Sequence, residues 1–344
     1  AANTTASNNT AMGYRAMAAN TTGTNNVAIG APAAVALTTG NQNIAIGNNS
    51  LNTNSTGTDN IAIGNNALAT GTTSFNNAIG SSALAANTTG TNNTAIGYQT
   101  LTTSTTANNN TAVGNRAAAV TTTGSNIVAV GYQALASNTT AGNNTAIGYQ
   151  SLTSNTTAQN NTAVGARALP STTTGGENTA MGTAAANANT TGINNVAIGN
   201  STLSSNTTGG NNVAIGFEAM LTGTVSEFNV AVGSAALRTF NNAGANTGRN
   251  TAIGFQSMTG TTSGSYNTAM GFQSLDANTT GNLNVAIGYG AMPNSTTAGN
   301  NTAAGYDALD QLTTANNNTA YGYQSLALVS TGGNNTAIGC QAGP

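Results

Sequence analysis

Apolar residues fall in short clusters along this chain, with NTAIG and NVAIG as typical examples, and each cluster closes on a glycine before a stretch of Asn, Thr, Ser and Gly begins. The closing glycines run from Gly13 through Gly30, Gly47 and Gly64 to Gly339, twenty copies in all. Neighbours are 17 residues apart, apart from one step of 16 (Gly64 to Gly80) and one of 21 (Gly233 to Gly254). The whole of 1–344 therefore reads as one continuous repeat array, with an insertion near 238–249 and no separate globular domain.

The unit approximates N-N-T/V-A-I/V-G-Y-Q-A/S-L-x-x-N-T-T-G-x, as in NNTAIGYQSLTSNTTAQ from Asn143. Two residues before the glycine stands Ala in every copy, from Ala11 through Ala28 and Ala45 to Ala337, which marks a site where only a methyl group fits. Beside it sits Ile, Val or Met, with Ala304 and Tyr321 as exceptions, and four residues after the glycine comes mostly Leu or Met, such as Leu51, Leu152 and Met220. These last two positions are the expected thin core. No apolar stripe at helical spacing survives, and Gly, Asn and Thr are poor helix formers. Alternation within T/V-A-I-G predicts a strand, with the branched residues on one face and Ala and Gly on the other.

A 17-residue unit is too short for a βαβ crossover or a propeller blade, but it suits one turn of a solenoid with two or three short strands. The expected fold class is all-β, a parallel β-solenoid or β-roll of about twenty 17-residue coils, stacked at about 4.8 Å so that like residues lie on like. The Asn-Asn pairs, such as Asn143 and Asn144, would form amide ladders along the stack. Disorder is the competing expectation for so polar a chain, but drifting low-complexity sequence has no reason to hold Ala and Gly in register. Small side chains bury little area per coil, so support from further chains is expected.

Composition removes several function classes. Charged residues make up 3% of the chain, with no His and only five basic residues, all Arg, and the formal charge is -2. Such a chain has no field to hold nucleic acid, and no apolar run is long enough to span a bilayer as a helix. No charged start followed by an apolar run marks a secretory signal. Catalysis lacks material too: the carboxylates are scattered, Asp307 and Asp310 form the one close pair, and neither a phosphate loop nor a metal-binding cluster is present. The chain is accordingly read as a non-enzyme with no cofactor and no metal. Cys340 is a lone cysteine without an internal disulfide partner.

The motif N-T/V-A-I-G followed by Y-Q-A/S-L and N-T-T-G resembles two overlapping groups. Its core is similar to the repeats of YadA-like heads of trimeric adhesins, and the full unit is similar to Gly-Tyr-Gln-Ala-Leu arrays of bacterial surface proteins and phage tail fibres. The resemblance implies left-handed β-rolls, self-association as a homotrimer or end-to-end filament, and a place outside the cell or on a cell or virion surface.

Three candidate surfaces follow. An aromatic residue succeeds the glycine in half of the coils: Tyr14, Tyr98, Tyr132, Tyr149, Phe217, Phe255, Phe272, Tyr289, Tyr306 and Tyr323. That row could stack sugars, cover an edge of the solenoid or line a seam between chains. Asn-x-Ser/Thr sequons at Asn3, Asn20, Asn87, Asn138, Asn155, Asn206, Asn278 and Asn294 are candidate glycosylation sites, and the Thr-rich corners could accept O-linked sugar. The insertion FNNAGANTGR is the third, a possible binding loop. The functional expectation is a structural surface fibre segment bearing covalent glycans, the alternatives being an adhesin or tail-fibre shaft that binds cell-surface glycans, and an ice-binding solenoid.

Overall fold

The computed structural model describes residues 5–242 and 248–343, which fall into two compact units, Ala1–Thr174 and Gly175–Pro344. Each unit is a parallel β-solenoid with about 17 residues per coil, and no helix occurs among the described residues. The first unit carries β1 (Thr10–Met12) to β10 (Thr162–Val164) and the second β11 (Thr179–Met181) to β20 (Thr336–Ile338). Within each unit every strand pairs in parallel with the next, alanine against alanine, as at Ala129 and Ala146 or Ala214 and Ala231. Neither length change disturbs that register. Ala62 still pairs with Ala78 across the short coil, and Ala231 of β14 (Val230–Val232) still pairs with Ala252 of β15 (Thr251–Ile253) across the insertion.

Each coil holds one strand of three residues, where two or three strands were expected. The reason is a set of left-handed residues that repeatedly reverse the chain. In the coil around Gly148 they are Gln150 (φ 52°), Leu152 (φ 48°) and Asn160 (φ 60°), and the same three positions recur along the array. None of these three columns contains Val, Ile or Thr, the residues for which a positive φ is most strained. Backbone groups outside the strand still find partners on neighbouring coils. Gln150 N donates to Tyr132 O at 2.9 Å, Leu152 N to Ala168 O at 3.0 Å and Ser154 N to Pro170 O at 3.1 Å. The turns are therefore hydrogen-bonded along the stack much as the strands are.

The core also differs from expectation. The strand alanines, such as Ala129, Ala146 and Ala214, and the residues four after the glycine, such as Leu135, Leu152 and Met220, are fully buried. The Ile, Val or Met beside each alanine lies on the outer face instead, with Ile147 39% exposed. A coil of this size brings its own walls too close for a branched side chain on the strand, so the methyl column points inward and the larger residues point out.

Polar residues fill the rest of the interior. One column of asparagines stands four before the glycine, and Asn212 represents it. Its Nδ2 donates to Asn195 Oδ1 (3.0 Å) and to Ser226 O (2.7 Å), while its Oδ1 accepts from Asn229 N and Nδ2 (both 3.1 Å). A buried amide so satisfied contributes about 1 kcal/mol, whereas an orphaned one costs about 1–3 kcal/mol, so each amide depends on its neighbours above and below. Ile127 is the one departure in this column and is likewise buried.

Candidate functional site

The aromatic row lies at the surface, directly after the glycine. Five of its members form one continuous stack: Phe255 on Phe272 (5.3 Å), Phe272 on Tyr289 (5.0 Å), Tyr289 on Tyr306 (5.1 Å) and Tyr306 on Tyr323 (5.3 Å). Tyr132 and Tyr149 stack in the same way at 5.6 Å. Rings in such a ladder cover each other's faces, and the face is what a sugar would need. Inside the five-ring run only edges and hydroxyl groups remain for solvent, while the end rings Phe255 and Tyr323, and both Tyr132 and Tyr149, keep one face uncovered by a ring. Tyr14, Tyr98 and Phe217 differ: Tyr98 stands between Ser81 and Asn115 in its column, and Phe217 between Asn200 and Ser234, with no ring above or below. Beside the ladder runs a glutamine column, with Gln150 Nε2 donating to Gln133 Oε1 at 3.0 Å and Gln273 Nε2 to Gln256 Oε1 at 2.9 Å.

Asp307 lies next to the ladder. Partial burial raises its pKa first, the nearby Asp310 adds to that, and a hydrogen bond from Gln324 opposes both. Its charge in turn is the main cause that raises the phenol of Tyr306. Asp276 is raised by burial, partly offset by a hydrogen bond with Thr259. Apart from the Asp307 and Asp310 pair, no two of these carboxylates act on one another. Among the described residues no three His, Cys, Asp or Glu side chains come together as a metal site, and Cys340 is exposed as a free thiol.

The candidate glycosylation sites require correction. Asn20, Asn87, Asn138, Asn155, Asn206 and Asn278 are buried, seven residues after their glycines, and face the coil interior. Asn87 shows the reason: its Oδ1 accepts from Gly90 N at 3.0 Å and its Nδ2 donates to Gly90 O at 2.9 Å, so the amide closes the turn. A glycan on any of these six has no room in the folded coil. Asn294 is exposed, and Asn3 lies outside the described residues. The Thr-Thr corner divides its labour. The first hydroxyl donates to the next coil, as from Thr139 to Thr156 O (3.0 Å) and from Thr156 to Thr173 O (3.1 Å), while the second threonine, such as Thr106, Thr140 or Thr157, is exposed. One outward hydroxyl column remains there, where a flat ice-binding face needs paired ones.

Of the insertion, residues 243–247 lie outside the described residues. Its flanks are tied down: Arg238 Nε meets Glu218 Oε2 at 2.6 Å, and Asn241 Oδ1 accepts from Thr224 Oγ1 at 2.9 Å. Phe240 is fully buried in the slot where other coils place the turn-closing asparagine, flanked in that column by the smaller Gly223 and Thr261.

The last residue of the insertion, Arg249, belongs to a patch whose other members the sequence reading missed. Five residues before the glycine most coils carry Asn, which tolerates a positive φ, but four consecutive coils carry Phe228, Arg249, Tyr266 and Leu283 with φ of 56–61°. Phe228, Tyr266 and Leu283 are exposed, and the Arg249 guanidinium lies 5.2 Å from the Phe228 ring and 5.5 Å from the Tyr266 ring. Bulky side chains in a strained conformation at the surface, where Asn would be easier, are a departure from local preference of the sort found at binding sites. The signal was available as a run of four substitutions in one column.

A scan against models of known protein families and a search of curated proteins both returned no match to this chain.

Proposed function

We propose that this chain is a structural fibre segment displayed on a cell or virion surface, acting through self-association. The observation that carries the reading is the asparagine column, in which buried amides such as Asn212 are hydrogen-bonded to the like residue of the coils above and below, with Ile127 as the interruption. Side chains that could have formed a cleft are instead engaged in holding coil to coil. Asn294 and the outward threonine column are the exposed positions where covalent glycans would sit. Purified full-length chain is expected to associate with rising concentration, seen as increasing mass by light scattering and as filaments or bundles by electron microscopy. A chain that stays monomeric at every accessible concentration contradicts this.

A second reading, an adhesin that binds cell-surface glycans, is favoured by the Phe228, Arg249, Tyr266 and Leu283 patch and not by the stacked ladder. Aromatic and guanidinium groups suit the faces and hydroxyls of sugars. On a glycan array the chain would then show bound signal that falls about five- to thirtyfold in Tyr266→Ala, because loss of one aromatic platform costs about 1–2 kcal/mol. An array with no signal, or one unchanged by the substitution, removes this reading. At corners such as those of Thr88, Thr139 and Thr156 the first hydroxyl is taken up by the next coil, so the ice-binding alternative has the least support.

A further inference from the structure

The fibre reading does not say which surface meets the next chain, and the outer face of the strands answers that. We infer that this face is a dry packing surface whose occupant is a second copy of this chain; the inference rests on the self-association proposed above.

Three observations converge on it. First, the outer column formed by the last residue of each strand is Ile, Val or Met in all ten strands of the first unit, from Met12 to Val164. In the second unit it runs likewise from Met181 to Ile287 before Ala304, Tyr321 and Ile338. Its members are half-buried to exposed, the open ones including Ile96 (38%), Met181 (42%) and Ile287 (42%). Contiguous apolar surface of this extent is unusual on a solitary chain and marks a contact site.

Second, charge is kept off the face. The five Arg and seven acidic residues all stand at corners, two or five residues after the glycine or five or six before it, and none lies on a strand. Exposed sheets that must remain unpartnered normally carry charge as protection.

Third, size and spacing fit a copy of the same chain. Three residues at about 3.3 Å and ten strands at about 4.8 Å give roughly 480 Å² of face per unit, or nearly ~1,000 Å² for two facing units, the lower bound for a specific interface. A second copy has the same axial repeat, so its outer side chains can settle between these row after row. A globular partner would match a few rows at most. The Thr, Val or Ile that begins almost every strand shares the outer face, and stacked sheets of small and branched side chains pack about 10 Å apart.

The test uses the full chain. In the triple variant Ile96→Lys, Ile147→Lys and Ile287→Lys, association measured by sedimentation is expected to weaken at least about a hundredfold, because unpaired charge would be buried at the contact. The matched triple Thr106→Lys, Thr157→Lys and Thr297→Lys, on the same coils but at the Thr-Thr corner, is expected to associate as the wild type does. If the face variant folds, by circular dichroism, and associates undiminished, this inference fails while the fibre reading stands. If the wild type never associates, both fall. As a milder probe, the thiol of Ile147→Cys in a Cys340→Ser background should react with maleimide at least about tenfold more slowly in the associated state than after dilution, whereas Thr157→Cys reacts equally in both. Equal reactivity at position 147 overturns the inference even if the lysine variants do not fold.

Discussion

Gly131→Ala is expected to destabilise its unit by about 3–5 kcal/mol, among the largest effects available to a single methyl group in this chain. Gly131 has φ 132°, a conformation closed to residues with a side chain. An added Cβ would also lie 2.5 Å from Gly148 O and 2.8 Å from Gly148 C, on the backbone of the next coil. That neighbour cannot retreat, because the Gly148 amide donates to Val130 O at 2.8 Å and holds the two coils at strand spacing. Strain and steric exclusion therefore add at one atom. Gly332→Ala is the control: its Cβ would meet nothing closer than 3.4 Å and its φ is not left-handed. The control should lie within about 0.5 kcal/mol of the wild type or slightly above it, since alanine restricts the unfolded chain. Urea denaturation of the two variants beside the wild type decides the matter, and equal midpoints would show that the glycine column is not a steric requirement.

Asn212→Asp should produce the second large effect, about 3–4 kcal/mol at neutral pH. The substitution keeps the shape but removes both donated hydrogen bonds and aims a carboxylate at Ser226 O, which loses its side-chain donor, and at Asn195 Oδ1, which keeps only the backbone N of residue 212. No coil carries Asp in this column, although one carries Ile127. The sign of the pH dependence follows from burial. A carboxyl in that slot has its folded-state pKa raised above the unfolded value of about 3.9, so the folded form binds the proton more tightly. The deficit relative to wild type is then full above the folded pKa. It shrinks as pH falls through that value and levels off below about 3.9, where the neutral acid can again donate one hydrogen bond. Denaturation of variant and wild type at a series of pH values measures this, and a gap that does not change with pH counts against the arrangement of partners described for Asn212.

Much of the architecture was readable from residue positions alone. A glycine and an alanine held in register over twenty copies announced a stacked coil, and both columns have steric causes in the structure. The strand count was misjudged because left-handed residues such as Gln150 and Leu152 carry no positive signature. Their mark is an exclusion, the absence of β-branched residues from three columns, which becomes visible only when the coils are aligned and the empty categories counted. The inner and outer faces of the strand were misassigned by weighing hydrophobicity over size. Invariance of the small residue was the better guide, since an interior that accepts only a methyl group leaves isoleucine outside. Sequons misled for a related reason: asparagine before Thr-Thr is required here as a turn-closing amide, so the motif recurs with the fold.

Both departures from the 17-residue period fall, in sequence, within the same arc of the repeat. The missing residue between Gly64 and Gly80 and the extra residues between Leu237 and Gly248 lie after a buried leucine and before strand pairing resumes, and the alanine register passes both undisturbed. Chain length on that arc is thus decoupled from the ladder. A peptide spliced there would leave the strand pairing intact, which makes this stretch of the repeat the natural place for such an array to acquire new cargo while its scaffold stays the same.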